Sequence, residues 1–159
     1  SPSIKDGLYS GQLINIQNKL ELAKYKAPIL ENNIIEKIQI LKNNLPFKLT
    51  NSQEKSLKEI IEDFKKGRPM NRLLQGDVGS GKTVLAALGS LGFAFQNYQI
   101  AFMTPTEVLS RQHYKTLIKL FPDFLGGIAL LTSSDQRIYY GPNLETEIPK
   151  KTILENIKN

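Results

Sequence analysis

The 159 residues carry 21 Lys and Arg against 15 Asp and Glu, a formal charge of +6, and that balance favours an anionic partner such as nucleic acid. The length suits one domain with a real core, or one lobe with an appendage, and excludes a two-lobed motor. With no Cys and one His, disulfides, thiolate metal sites and a His-rich metal centre are excluded, in keeping with a reducing cytoplasm.

No apolar run approaches the roughly 20 residues that cross a bilayer, and the start lacks a basic-then-apolar leader. No membrane partner is therefore expected. Ser1 stands where an initiator Met would, which reads as a piece cut from something longer.

From Leu8 to about Tyr25, Leu13, Ile16, Leu20 and Leu22 recur at helical intervals until Lys26-Ala27-Pro28 interrupts them. A second helix is expected from about Glu31 to Lys42, with Ile35, Ile38, Ile40 and Leu41 as candidates for burial. Residues 1–45 carry no recognisable chemistry and read as a helical linker or the remnant of a neighbouring domain. The core domain, 46–159, begins at Leu45-Pro46-Phe47, because proline disfavours helix in the residue before it.

Thr50 is an N-cap candidate, and Gln53 three residues on completes a capping box for a helix to about Lys66, ended by Gly67-Arg68-Pro69. Glu62-Asp63 falls within that helical pattern and reads as exposed acidic surface. Strands are expected at Arg72-Leu73-Leu74-Gln75, at Gln99 to Met103 and at Ile128 to Leu131, with helices after Gly81 and from Thr104-Pro105-Thr106-Glu107. Pro142 to Pro149 reads as loop and Lys151 to Lys158 as a terminal helix. Strands alternating with helices predict an α/β fold with a parallel sheet covered by helices.

Between the first strand and its helix stand Gly76-Asp77-Val78-Gly79-Ser80-Gly81-Lys82-Thr83, the complete spacing of a phosphate-binding loop. Glycine lets the backbone turn so that consecutive N–H groups point inward at phosphate oxygens. Lys82, the candidate catalytic residue, would bring its charge to the β- and γ-phosphates of ATP, and the Thr83 hydroxyl would ligate Mg2+. The helix that follows aims its positive end at the same anion.

Three segments together resemble the RecG-type ATP-dependent DNA helicases of superfamily 2. They are Leu45-Pro46-Phe47-Lys48-Leu49-Thr50 followed by Gln53, Met70 to Gln75 running into the phosphate loop, and Thr104-Pro105-Thr106-Glu107-Val108-Leu109 followed by Gln112-His113. The resemblance runs from Leu45 to about Ser134. The related Mfd-type translocases, the alternative reading, typically carry a bulky residue where Ser80 stands and lack an acid at the position of Glu107.

The resemblance implies a partial RecA-like P-loop NTPase lobe, preceded by the helical linker, within a protein that remodels branched or duplex DNA. It puts Gln53 where an amide reads adenine, beside its local role in the capping box, and Phe47 either flanking the base or in the core. It lays Thr104, Pro105 and Thr106 along a DNA strand through phosphate contacts that read no sequence. Gln112 follows as a DNA-binding candidate, and Arg111 joins it by charge alone. Asp77 matches the family and shapes the loop, while His113 is given no chemical role.

Ser133-Ser134 departs from the Gly-Ser pair usual in the family, and the sequence ends before the Asp-Glu motif and the second lobe that complete such a motor. A small P-loop kinase and a non-catalytic nucleotide-binding module are the other classes open to this sequence. Hydrolysis needs positioned water, metal and charge neutralisation together, so the 159-residue chain alone is expected to show no steady ATP turnover. Phosphate release by the pure chain, abolished in Lys82→Ala, would overturn that expectation.

Overall fold

The computed structural model describes Asn18 and residues 20–158. Leu13 and Ile16 of the first expected helix lie outside them. The described elements are α1 (Asn32–Asn43), α2 (Asn51–Phe64), α3 (Lys82–Phe95), α4 (Glu107–Leu120), β1 (Ile128–Leu131), β2 (Gln136–Tyr139), β3 (Glu145–Glu147) and α5 (Lys150–Lys158).

Helix α3, sequence KTVLAALGSLGFAF, is apolar on nearly every side and is the hub of the main core. Two neighbours lie against it at its glycines. A Cβ on Gly89 would sit 2.9 Å from Ile60 of α2, and one on Gly92 would sit 2.6 Å from Leu30 and 2.8 Å from Ile38 of α1. Larger side chains there would push both helices away, so the small residues set the packing distance. Leu57, Ile60 and Ile61 supply the face of α2, and Leu85, Leu88 and Val84 that of α3.

Burial on α1 bears out Ile38, with Ile35 and Leu41 half-buried against the core, but not Ile40, and adds Ile34. Ile34 and Ile38, four apart, face α3 as its buried residues, whereas Ile40 is 59% exposed. Leu30, just before α1, continues the same stripe. Leu30, Ile34 and Ile38 thus share one core cluster with the residues after Leu45.

Two of the three expected strands and the expected parallel sheet are not seen among the described residues. The strands there form an antiparallel sheet in the order β1-β2-β3, with Ile128 opposite Tyr139, Leu131 opposite Gln136 and Arg137 opposite Glu147. Only Ile128–Leu131 matches an expected strand, and β3 replaces part of the loop expected over Pro142 to Pro149.

The physical reason is local closure. The turn between β1 and β2 is tied by the Thr132 N–H donating to the Asp135 carbonyl at 3.0 Å and the Asp135 N–H donating to the Thr132 hydroxyl at 2.9 Å. Such a short connection costs little loop entropy. A parallel ladder instead requires cover on both faces. Leu73 and Met103, within the two unpaired segments, are 87% and 94% exposed.

Helix α4 joins the sheet to the main core. Its Tyr114 packs with Leu130 and Tyr139, while Leu117 and Leu120 rest on the α1–α3 cluster. Burial pushes the Tyr114 hydroxyl well above the ordinary tyrosine pKa, and the group donates to Glu145 of β3 at 2.9 Å. An apolar cavity of about 630 Å³ lies between α3, α4, β1 and α5, lined in part by Leu91, Ile100, Phe102 and Leu130. Among the described residues no helix is long and apolar enough to cross a membrane.

Ile38 is fully enclosed by this packing. Ile38→Ala is expected to lower unfolding stability by about 2–5 kcal/mol, in one cooperative transition measured by urea denaturation. A separate, uncoupled loss of α1 would contradict the shared core.

Candidate functional site

The phosphate loop is a turn followed by a left-handed step into α3. The Ser80 N–H donates to the Asp77 carbonyl at 3.1 Å. Gly79 and Gly81 then adopt φ of 80° and 82°, a region that costs a residue with a Cβ about 1–3 kcal/mol. Gly81 is the N-cap of α3, so the loop ends on the helix's free N–H groups. Lys82 and Thr83 open its first turn, and Val78 stands fully exposed at the tip.

The Lys82 ammonium lies within the curve of the loop. It donates to the carbonyls of Gly76 at 2.5 Å and Asp77 at 2.7 Å, and to the Ser80 hydroxyl at 3.2 Å. Glycine at 76 allows this fold-back, since a Cβ there would lie 2.5 Å from Ser80 Oγ.

Gln53 fills the capping role its position permits locally and one that no local pattern announces. Its Oε1 accepts from the Thr50 N–H at 2.8 Å while Thr50 Oγ1 accepts from the Gln53 N–H at 3.3 Å, which is the capping box. Its Nε2 then donates to the Ser80 carbonyl at 2.7 Å, across 27 residues. One N–H and one oxygen lone pair of the amide remain for a ligand. Phe47 is 44% exposed, which places it outside the core.

A guanidinium steadies the approach to the loop. Arg72 donates to Asp63 at 2.6 and 2.8 Å and to Glu59 at 2.7 Å, both on α2. Asp63 is held below the usual carboxylate range, first by its hydrogen bond from Lys66 and then by Arg72. Glu62 pairs with Lys65 at 3.2 Å. Both acids act as ion-pair partners; Glu62 is exposed as the helical pattern implied, whereas Asp63 is half-buried.

The other candidate residues gather at the start of α4. The Thr106 hydroxyl caps the helix by accepting from the Leu109 N–H at 3.3 Å, and the Thr104 hydroxyl donates to the Thr106 carbonyl at 2.9 Å. Pro105 and Gln112 are exposed, and His113 lines the apolar cavity. Arg111 is engaged on protein groups: Glu107 at 3.3 Å, Ser134 at 2.8 Å and Asp135 at 3.2 Å. The Glu107–Arg111 pair is legible as i,i+4 spacing, whereas the partners at 134 and 135 come only from the fold.

Donors, charge and left-handed glycines together suit a polyphosphate. A divalent ion at such a site would be held largely by the phosphates and water, with the Thr83 hydroxyl as one candidate protein ligand beside a carboxylate. Among the described residues no three His, Asp or Glu converge as an independent metal site.

The family model described as DEAD/DEAH box helicase matches residues 50–148, from the Thr50 cap through the loop to the end of the sheet. This chain belongs to the DEAD/DEAH box helicase family. Its fold class is accordingly RecA-like P-loop, and helicases of this family use ATP with a divalent metal. The chain is 48% identical over 132 residues to the ATP-dependent DNA helicase RecG of Aquifex aeolicus, covering 82% of this chain and 16% of that protein. It is 44% identical over 128 residues to the RecG of Streptococcus pneumoniae, covering 77% and 19%. For the RecG of Borreliella burgdorferi the identity is 47% over 105 residues, covering 66% and 15%. The chain thus spans less than a fifth of the curated relatives named here. No solved structure matches it.

A Cβ on Gly81 of this helicase domain would lie 2.6 Å from Gln53 Nε2. Gly81→Ala is therefore expected to cost more than the about 1–3 kcal/mol of left-handed strain, and less in a Gln53→Ala background. A double-mutant cycle by urea unfolding measures the coupling, and strict additivity would show that Gln53 does not restrain the loop.

Proposed function

We propose that this chain is part of a RecG-like ATP-dependent DNA helicase that couples ATP hydrolysis to translocation on duplex DNA and remodels branched DNA, such as stalled forks and four-way junctions, in recombination and repair. The observation that carries the reading is the identity of 44–48% to proteins named RecG across the loop and the start of α4. Coverage of only 16–19% of those two relatives supports a longer parent chain as its first partner. Residues 1–45 then form a helical linker from a DNA-binding side, and 46–159 begin the first motor lobe. Its parallel sheet would be completed elsewhere in that parent. A cytoplasmic location follows for an enzyme acting on bacterial DNA.

ATP binds with its phosphates in the loop of Gly76, Asp77, Val78, Gly79, Ser80, Gly81, Lys82 and Thr83. The Thr83 hydroxyl would help hold Mg2+, which would supply charge neutralisation at the phosphates. Lys82 exchanges its carbonyl partners for phosphate oxygens and stabilises charge there. Gln53 offers its remaining donor and acceptor to adenine while keeping hold of Ser80. Thr104, Pro105, Thr106 and Gln112 lie along a DNA strand.

The test is ATP turnover by the longer parent with four-way junction DNA, with linear duplex and without DNA. Junction stimulation is expected, with loss of about 100-fold or more in Lys82→Ala. Turnover indifferent to every DNA would reject the helicase reading in favour of a nucleotide-binding module or kinase.

A further inference from the structure

Outside the phosphate loop, a cluster of side chains ties the start of α4 to the turn between β1 and β2. Glu107 is the first residue of α4. Its Oε1 accepts from the Ser133 N–H at 3.0 Å and from the Ser133 hydroxyl, and its Oε2 from the Ser134 hydroxyl at 2.7 Å and from Arg111 at 3.3 Å. Arg111 donates onward to Ser134 at 2.8 Å and Asp135 at 3.2 Å, and Asp135 also accepts from Arg137 at 2.7 Å. Arg137 in turn lies 3.6 Å from Glu147 on the neighbouring strand.

Within the cluster three carboxylates outnumber two guanidinium groups. Arg111 and Arg137 face Glu107, Asp135 and Glu147, so a phosphate approaching either guanidinium would meet carboxylates as well. The bonding is suited to another task. Glu107 directly follows Thr104-Pro105-Thr106, and its carboxylate collects donors from a turn 26 and 27 residues away. That turn is itself closed by Thr132 and Asp135. Two exposed loops are thereby fixed in one arrangement. Ordering them on binding would cost conformational entropy, and that cost is met in advance when the loops are already held.

We infer that Glu107 and Arg111 are positioning residues that lock the Thr104–Thr106 loop and the Ser133–Ser134 turn into a single preformed surface for a DNA strand, without contacting the strand themselves. The inference rests on the helicase reading above. It assigns Ser133 and Ser134 a role as the partners that Glu107 grips, and it moves Arg111 from a phosphate ligand to a fork whose geometry matters more than its charge.

The experiment uses the longer parent and four-way junction DNA. Glu107→Gln, the pair Ser133→Ala with Ser134→Ala, and Arg111→Lys are each compared with wild type. Two quantities are read: the DNA concentration giving half-maximal ATP turnover, and hydrogen exchange of the 132–135 amides without DNA. All three variants are expected to raise the half-maximal DNA concentration by about three- to tenfold. The rate at saturating DNA should change less than twofold, with faster exchange at the turn and unaltered exchange in α3. Arg111→Lys is the discriminating case, since a phosphate ligand would tolerate the retained charge whereas a fork would not. Wild-type turnover that ignores DNA overturns the helicase reading and the positioning role together. A DNA-responsive wild type whose variants keep its half-maximal concentration overturns the positioning role alone.

Discussion

Everything that positions the phosphate loop depends on how closely α1 and α2 approach α3. The positive end of a helix is useful to an anion only if its first turn is held still, and α3 begins directly at Gly81. Gly89 and Gly92 admit Ile60, Leu30 and Ile38 to distances at which a single added carbon would make those side chains shift. The core that immobilises the helix is thus set by two missing side chains. The ion pairs of Arg72 with Glu59 and Asp63 then fix the strand-like approach to the loop against the same α2.

The Gln53 amide closes this arrangement from the other side. Its oxygen completes the start of α2 and its nitrogen holds the Ser80 carbonyl, so the end of the loop and the beginning of a neighbouring helix share one side chain. A ligand that engages the amide would be felt at both. The loop and the cap of α2 are coupled because one amide serves both.

Much of this was legible in the sequence where the signal is local. The Thr50–Gln53 box is a three-residue spacing, the phosphate loop is eight consecutive positions, and Ile128–Leu131 is a short apolar run; each appears where expected. Helix phase was harder. Ile34 and Ile40 are the same residue type, and only the neighbour they meet decides which is buried. The segments Arg72–Gln75 and Gln99–Met103 have strand-like composition, but a strand exists only in a ladder, and composition does not provide a partner. The links from Gln53 to Ser80 and from Glu107 to Ser133 cross 27 and 26 residues. No spacing rule anticipates them, since they arise only once the core has brought the loops together.

The outermost strand, β3, is Glu145-Thr146-Glu147, exposed throughout. A sheet margin with free N–H and C=O groups is a template for pairing with another molecule, and proteins blunt that hazard with short, charged margins. Here a second copy presenting the same strand would set carboxylates against carboxylates. Electrostatic repulsion thus guards the flank where this small sheet is most open to stacking end to end, and it does so with a residue, Glu147, that also pairs with Arg137 inside the molecule.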